Sequence, residues 1–237
     1  MKINTMLSIG EVLELDIEKL AFGGLGIAYF NNIVIFVKDG IPGQKVRAKI
    51  WKKKKNYLEA YTIEKIKSSK DEVNPLCDHF GICGGCTFQN YNYKSQLTEK
   101  YNQVKELFNK MIKSSYPKIN SIVGCEDKYY YRNKMEFSYS SNKWIVDISD
   151  STKNIKPAFG LHVKKRFDKI VDISNCYIQS KKSDEIFNFI KKYLLKHEII
   201  PFNMKLKSGY LKNVIIREGQ MTKQILINFI TTIDERS

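Results

Sequence analysis

Apolar and polar residues alternate in short runs along the first 67 residues of the chain. A period of two is typical of strands with one buried face, and turn signals such as FGGLG and DGIPG separate the runs. The pattern predicts five strands, around Val12–Leu15 and over 27–30, 33–37, 45–51 and 57–63. Short strands joined by glycine-containing turns predict a small barrel of the oligonucleotide-binding type.

The period then lengthens to between three and four, which is typical of an amphipathic helix. This pattern predicts a helix over residues 92–113. Its apolar positions are Tyr93, Leu97, Tyr101, Val104, Phe108 and Met111. A second helix is predicted from Ser183, a residue type that caps helix N-termini, to about residue 197.

The period of two returns at residue 129 and predicts a second sheet. Met135, Phe137 and Tyr139 alternate with polar residues, and Trp144, Val146 and Ile148 do so after the turn SSNK, so a hairpin is expected. AFGLHV, YLKNVIIREG and KQILINFIT predict three further strands, the last just before the sequence ends. The fold class predicted is therefore mixed β and α+β. Its parts are a barrel over 1–67, a cysteine-rich loop with a helix over 68–115, and an incomplete central α+β domain over 116–237.

Charge narrows the choice of partner. Lysine and arginine number 40 against 25 acidic residues, which gives a net charge of +15 and favours a polyanion, with nucleic acid ahead of membrane. No apolar run approaches the ~20 residues that a membrane span needs. The N-terminus carries acidic residues where a signal peptide would be apolar, so a cytoplasmic, reduced protein is expected.

Two basic segments are candidates for contacts with RNA. WKKKKNY places four lysines at a predicted strand–turn junction, where they suit phosphates. KYYYRNKMEFSY places cations among tyrosines, a mixture that suits phosphates and unstacked bases. The candidate residues are Lys52, Lys53, Lys54, Lys55, Arg132 and Lys134. A solvated turn and a basic strand face are the alternatives.

Three of the five cysteines lie within ten residues, CDHFGICGGC. Cys77, Cys83 and Cys86 would present three thiolates on one glycine-rich loop, and a metal centre needs a fourth ligand. Cys125 and Cys176 are candidates for it, with His79 a weaker third. One Cys-x2-Cys pair with a remote cysteine favours a four-iron cluster, because zinc sites usually carry two such pairs. Zinc remains the alternative.

The motifs, in this order, resemble those of the uracil-C5 RNA methyltransferases that carry an iron–sulfur cluster. FGGLGIA with IPGQKV resembles their N-terminal TRAM domain, and CDHFGICGGCTFQ resembles their cluster loop. YYYRNKMEFSY and LKNVIIREG are similar to stretches of their central domain. FGLHVKKRFDKIVDISNCYIQ is similar to the segment that supplies the last cluster ligand.

The resemblance implies a [4Fe-4S] cluster held by Cys77, Cys83, Cys86 and Cys176, with Cys125 left over. It also implies S-adenosylmethionine-dependent formation of 5-methyluridine in rRNA, of the 23S type, or in tRNA. In that family a cysteine adds to C6 of a flipped uracil, and this makes C5 nucleophilic. A monomer is expected.

The sequence also departs from the family pattern. The glycine-rich cofactor loop of a Rossmann-like domain and the catalytic cysteine have no match here. We therefore expect the RNA-recognition part of a methyltransferase, with the Rossmann-like domain, the S-adenosylmethionine site and the catalytic residues absent, and inactive alone. A non-enzymatic RNA-binding protein with structural zinc is the runner-up. An electron-transfer protein is disfavoured, because such proteins usually dock through an acidic surface and this chain is basic.

Overall fold

The computed structural model describes residues 7–112, 115–144, 157–204 and 206–233. The chain divides into two compact units, residues 1–75 with 88–124 and residues 76–87 with 125–237. The division of the sequence into 1–67, 68–115 and 116–237 stays a prediction. None of the described helices is long and apolar enough to span a membrane.

The first unit contains a six-stranded sheet with the order β1-β5-β6-β4-β3-β2. The strands are β1 (Val12–Asp16), β2 (Lys19–Leu20), β3 (Gly26–Phe30), β4 (Ile33–Lys38), β5 (Lys45–Lys53) and β6 (Tyr57–Lys67). Pairing is antiparallel except between β4 and β6, which are parallel. The prediction of five strands is wrong by one, because two-residue β2 is too short to show an alternating pattern.

Alternate residues of these strands point into one apolar core. Ile35, Val46 and Leu58 are fully buried there. The turn between β3 and β4 consists of Asn31 and Asn32, both with positive φ, which is the backbone of the tight hairpin turn that asparagine favours. The period of two therefore predicted the buried face correctly.

Helix α1 (Tyr93–Met111) belongs to the same unit and lies within the predicted range. The Asn92 side chain caps it by accepting a hydrogen bond from the Lys94 amide at 2.9 Å. None of its residues is fully buried, and polar contacts tie it to β2. Glu99 accepts from the Leu20 amide at 2.9 Å, and Glu106 pairs with Lys19 at 2.9 Å.

The second unit contains a five-stranded antiparallel sheet with the order β11-β10-β7-β8-β9. The strands are β7 (Lys134–Ser140), β8 (Ala158–His162), β9 (Ile170–Asp172), β10 (Leu211–Glu218) and β11 (Ile225–Thr231), and helix α2 is Lys181–Lys196. Phe137, Phe159 and Phe187 form the centre of the core between sheet and helix, with the rings of Phe159 and Phe187 stacked at 4.8 Å. In the predicted hairpin, β7 matches the first strand, and Val146 and Ile148 lie outside the described residues.

Candidate functional site

The cysteine loop is held against β8 by backbone hydrogen bonds. The Gly84 amide donates to the His162 carbonyl at 2.9 Å, and the Lys164 amide donates to the Ile82 carbonyl at 2.9 Å. A Cβ at position 84 would lie 3.1 Å from the His162 oxygen, so a glycine lets the two backbones approach. Cys83 pairs with Val163 at this contact. The loop is thus attached to the end of β8 through residues 82–84.

Cys176 lies between β9 and α2, and its backbone is fixed by the helix. Its amide donates to Asp184 Oδ1 at 2.9 Å, and the same oxygen accepts from Gln179 Nε2 at 2.9 Å. A second link joins this segment to the cysteine loop, because His79 Nε2 accepts from the Ser174 amide at 3.1 Å. His79 therefore braces the two segments across 95 positions of sequence.

The structure brings four thiols within electrostatic range of one another. Burial, with smaller contributions from the neighbouring thiolates of Cys176, Cys86 and Cys77, raises the pKa of Cys83 to about 11. The pKa values of Cys77 and Cys176 are also raised, first by burial and then by the other thiolates. Four thiolates side by side repel one another, and a cationic centre between them would reverse that repulsion.

Backbone amides point at three of these sulfurs. Such bonds stabilise a thiolate and lower its pKa against the effect of burial. They are also among the contacts that tune iron–sulfur centres. The donors are Gly85 to Cys83 at 3.4 Å, His79 and Phe80 to Cys77, and Ile178 and Gln179 to Cys176. These amides therefore offset part of the effect of burial on the three sulfurs.

Cys125 differs from the other four cysteines. Its side chain is exposed, and its thiol donates to the Asp127 carbonyl at 3.1 Å. Within the described ranges, no three or more His, Cys, Asp and Glu side chains are grouped closely enough to hold a single metal ion.

The four lysines at the β5–β6 turn have different surroundings. Lys52 pairs with Glu59 at 3.0 Å, and Lys53 donates to the Leu7 carbonyl at 3.1 Å. Lys54 and Lys55 are exposed in the turn itself. These last two are the better placed for phosphate, since neither forms an ion pair with a carboxylate in the described part of the chain.

Arg132 and Lys134 are both exposed in the second unit, but only Lys134 belongs to β7. Arg132 precedes the strand, forms a parallel bridge with Gln179, and donates from Nε to the Lys134 carbonyl at 3.0 Å. The adjacent Tyr131 is 52% exposed, and the thiolate of Cys86 contributes to raising its pKa after burial does. These cations thus lie on the same segment as a tyrosine that neighbours the cysteine centre.

Sequence reasoning missed the role of Asp184. Asp184 lies in the first turn of α2. Its carboxylate also accepts hydrogen bonds from the Cys176 amide and the Gln179 side chain. This arrangement depends on how the chain turns between Cys176 and the helix. The cap was also misassigned, since Ser180, and not Ser183, precedes the helix and accepts from the Ser183 amide at 3.0 Å.

Comparison with known proteins bears on both units. Residues 7–63 match the TRAM domain. Relatives of the chain are described as RNA methyltransferases. A protein of Bacteroides thetaiotaomicron described as an uncharacterized RNA methyltransferase is 33% identical over 220 residues, which are 91% of this chain and 48% of that protein. A Clostridium tetani protein of the same description is 33% identical over 94% of this chain and 47% of its own length.

A solved structure gives the same picture of the fold. The tRNA (uracil-54, C5)-methyltransferase of Pyrococcus abyssi, in complex with S-adenosyl-L-homocysteine, aligns with a TM-score of 0.68 and 23% identity. The alignment covers 94% of this chain and 46% of that one. The chain thus spans about half the length of the curated relatives that it matches.

These alignments correct two predictions. The predicted fold class stated that the Rossmann-like methyltransferase domain is absent from the chain. The second prediction was that the chain is inactive alone. Both predictions, which came from motifs without a match in the sequence, are wrong. Relatives described as RNA methyltransferases match 91–94% of the chain, and the solved methyltransferase structure matches 94% of it, so neither the absence nor the inactivity is retained.

Proposed function

We propose that this protein takes part in S-adenosylmethionine-dependent methylation of RNA at C5 of uracil, in rRNA or tRNA, in the cytoplasm. The observation that carries the proposal is the alignment of 91–94% of the chain with RNA methyltransferases. The TRAM domain at residues 7–63 and the fold shared with a uracil-C5 enzyme support it. S-adenosylmethionine supplies the methyl group in this chemistry.

In this proposal the described residues bind and orient the RNA. Lys54 and Lys55 at the β5–β6 turn, and Arg132 and Lys134 beside β7, contact phosphates. Each of these side chains is exposed, and a net charge of +15 attracts a polyanion over the whole chain. Phosphate contacts of this kind position RNA and do not select a base.

We further propose that Cys77, Cys83, Cys86 and Cys176 hold a [4Fe-4S] cluster. Their mutual electrostatic coupling and the amide bonds to three of the sulfurs support this ligand set. The cluster would join the loop at 77–86 to the segment before α2, which His79 and Ser174 already link. Its role in this arrangement is structural.

The activity is tested by deleting the gene and analysing the nucleosides of purified rRNA and tRNA by mass spectrometry. We expect 5-methyluridine to disappear from at least one position and to return when the gene is restored. Unchanged 5-methyluridine at every position in the deletion strain would overturn the proposed activity.

The metal centre is tested separately on protein purified without oxygen. We expect about four iron and four sulfide per chain with visible absorption. Colourless protein with one zinc per chain would instead support the alternative, an RNA-binding protein with structural zinc.

A further inference from the structure

The outward face of the TRAM sheet carries a row of aromatic and basic side chains. Tyr61 on β6 lies directly opposite Lys38 on β4 and Lys49 on β5, so the three side chains project from the same face. Their neighbours on these strands, Val37, Ala60 and Ile50, are buried on the other face. The row is therefore an aromatic ring bordered by two cations on the solvent side of the barrel.

A β-bulge extends this row towards the β5–β6 turn. The register shifts between Ile50 and Lys52, so Trp51 is the extra residue on β5. Bulges re-aim side chains, and they are enriched next to functional sites. Trp51 is 46% exposed, and Lys52 Nζ lies 5.2 Å from its ring centroid, so the indole shares the face of that lysine. Trp51 and Tyr61 thus offer two exposed rings, one after the other along β5 and β6.

Acids oppose part of the charge on this face, since Arg47, two residues before Lys49 on β5, pairs with Glu64 at 2.7 Å. Glu59 is the acid in the next row, and Lys52 pairs with it at 3.0 Å. Lys38 has only a 3.7 Å contact with Asp39, and Lys49 makes no ion pair with any described residue. Positive charge consequently remains on both sides of Tyr61.

We propose that this face, defined by Lys38, Lys49, Trp51 and Tyr61, is a stacking platform for single-stranded RNA. Unpaired bases would stack on the two rings, and phosphates would contact the flanking lysines. Exposed aromatics interleaved with cations are the chemistry that recognises single strands, because every base has a π-face whereas duplex RNA hides its bases. The proposal rests on the proposed function and names the form of RNA that the barrel selects.

Trp51 gives a direct readout of stacking. The chain has two tryptophans, and Trp144→Phe leaves Trp51 as the only one. We expect oligouridylate to quench the fluorescence of this variant saturably, and duplex RNA of equal length to quench it far less. Equal quenching by both, or none by either, would overturn the platform.

The rings are then removed one at a time in the full chain, with labelled RNA and binding anisotropy as the measurement. Tyr61→Leu and Trp51→Leu should each weaken oligouridylate binding about 5- to 100-fold, the range seen when one stacked base loses its ring. Duplex binding should change less than about twofold, because its phosphate contacts remain. Phe22→Leu is the matched control, since Phe22 is 64% exposed in the same unit but lies outside the row.

The outcomes separate this proposal from the proposed function. The folding of the Tyr61→Leu and Trp51→Leu proteins is checked by circular dichroism. If the folded variants bind oligouridylate with wild-type affinity, the platform is overturned, even where 5-methyluridine still depends on the gene. Loss of the gene without loss of 5-methyluridine would instead overturn the function, whatever the platform binds.

Discussion

At the residue scale, the ligand set of the cysteine centre makes the sharpest prediction. Cys176→Ser should lose most of the iron and sulfide from protein purified without oxygen, because one of four thiolates is removed. Cys125→Ser is the matched control and should keep both, since Cys125 is exposed and bonded to its own loop. Retention of the cluster by the first variant and its loss from the second would reverse our assignment.

Asp172 allows a prediction about pH. Burial alone would raise the pKa of its carboxyl, but hydrogen bonds from Lys191 at 2.7 Å and Lys143 at 3.0 Å outweigh burial and lower it. A folded-state pKa below the unfolded one stabilises the protein at neutral pH, and this contribution is lost as pH falls through the lowered value. Asp172→Asn should therefore lower the free energy of unfolding at pH 7 by about 1.5–3 kcal/mol.

The difference between wild type and Asp172→Asn should shrink from pH 7 to a pH below the lowered pKa of Asp172, where the carboxyl loses its charge. Urea denaturation at the two pH values measures it. Asp168→Asn is the control, because Asp168 pairs with Arg166 at 2.7 Å on the exposed surface and its loss should not measurably change stability. An equal loss at both pH values for Asp172→Asn would show that its charge does not stabilise the fold.

At the scale of single elements, helix α2 is attached to its sheet through one apolar face. Phe187 is fully buried, and its ring lies 4.4 Å from that of Phe137. Phe187→Ala should cost about 3–5 kcal/mol of unfolding free energy, since it leaves a cavity in the core. Phe189→Ala on the same helix should cost less than about 0.5 kcal/mol, because that ring is 70% exposed. Similar losses for both variants would contradict the observed helix face.

Elements with a long, regular period were predictable from the sequence, and short ones were not. Helix α1 repeats apolar residues over five turns, so its range was found to within two residues at each end. Strands β2 and β9 span two and three residues, too few to show any period. Basic residues surround β9 in the sequence, so the strand was not predicted, although its Ile170 and Val171 are buried.

The candidate site could be predicted in its residue types but not in its geometry. Spacing alone marked Cys77, Cys83 and Cys86, whereas the choice between Cys125 and Cys176 came from a resemblance and not from spacing. The Trp51–Tyr61 platform depends on a bulge in the β5–β6 register, and a bulge has no signature in one sequence.

At the scale of the whole molecule, the number of phosphates that basic side chains contact decides how RNA binding responds to salt. A chain of +15 that neutralises phosphates releases counterions, so the logarithm of affinity should fall linearly with the logarithm of salt concentration. Replacing both Lys54 and Lys55 by alanine should reduce the magnitude of that slope by about 0.7–0.9 for each lysine that contacts a phosphate. Lys100→Ala with Lys105→Ala removes equal charge from the exposed surface of α1 and is the control. A slope that changes only in the control would place the phosphates on the helix instead of the β5–β6 turn, because counterion release reports local contacts and not the total charge.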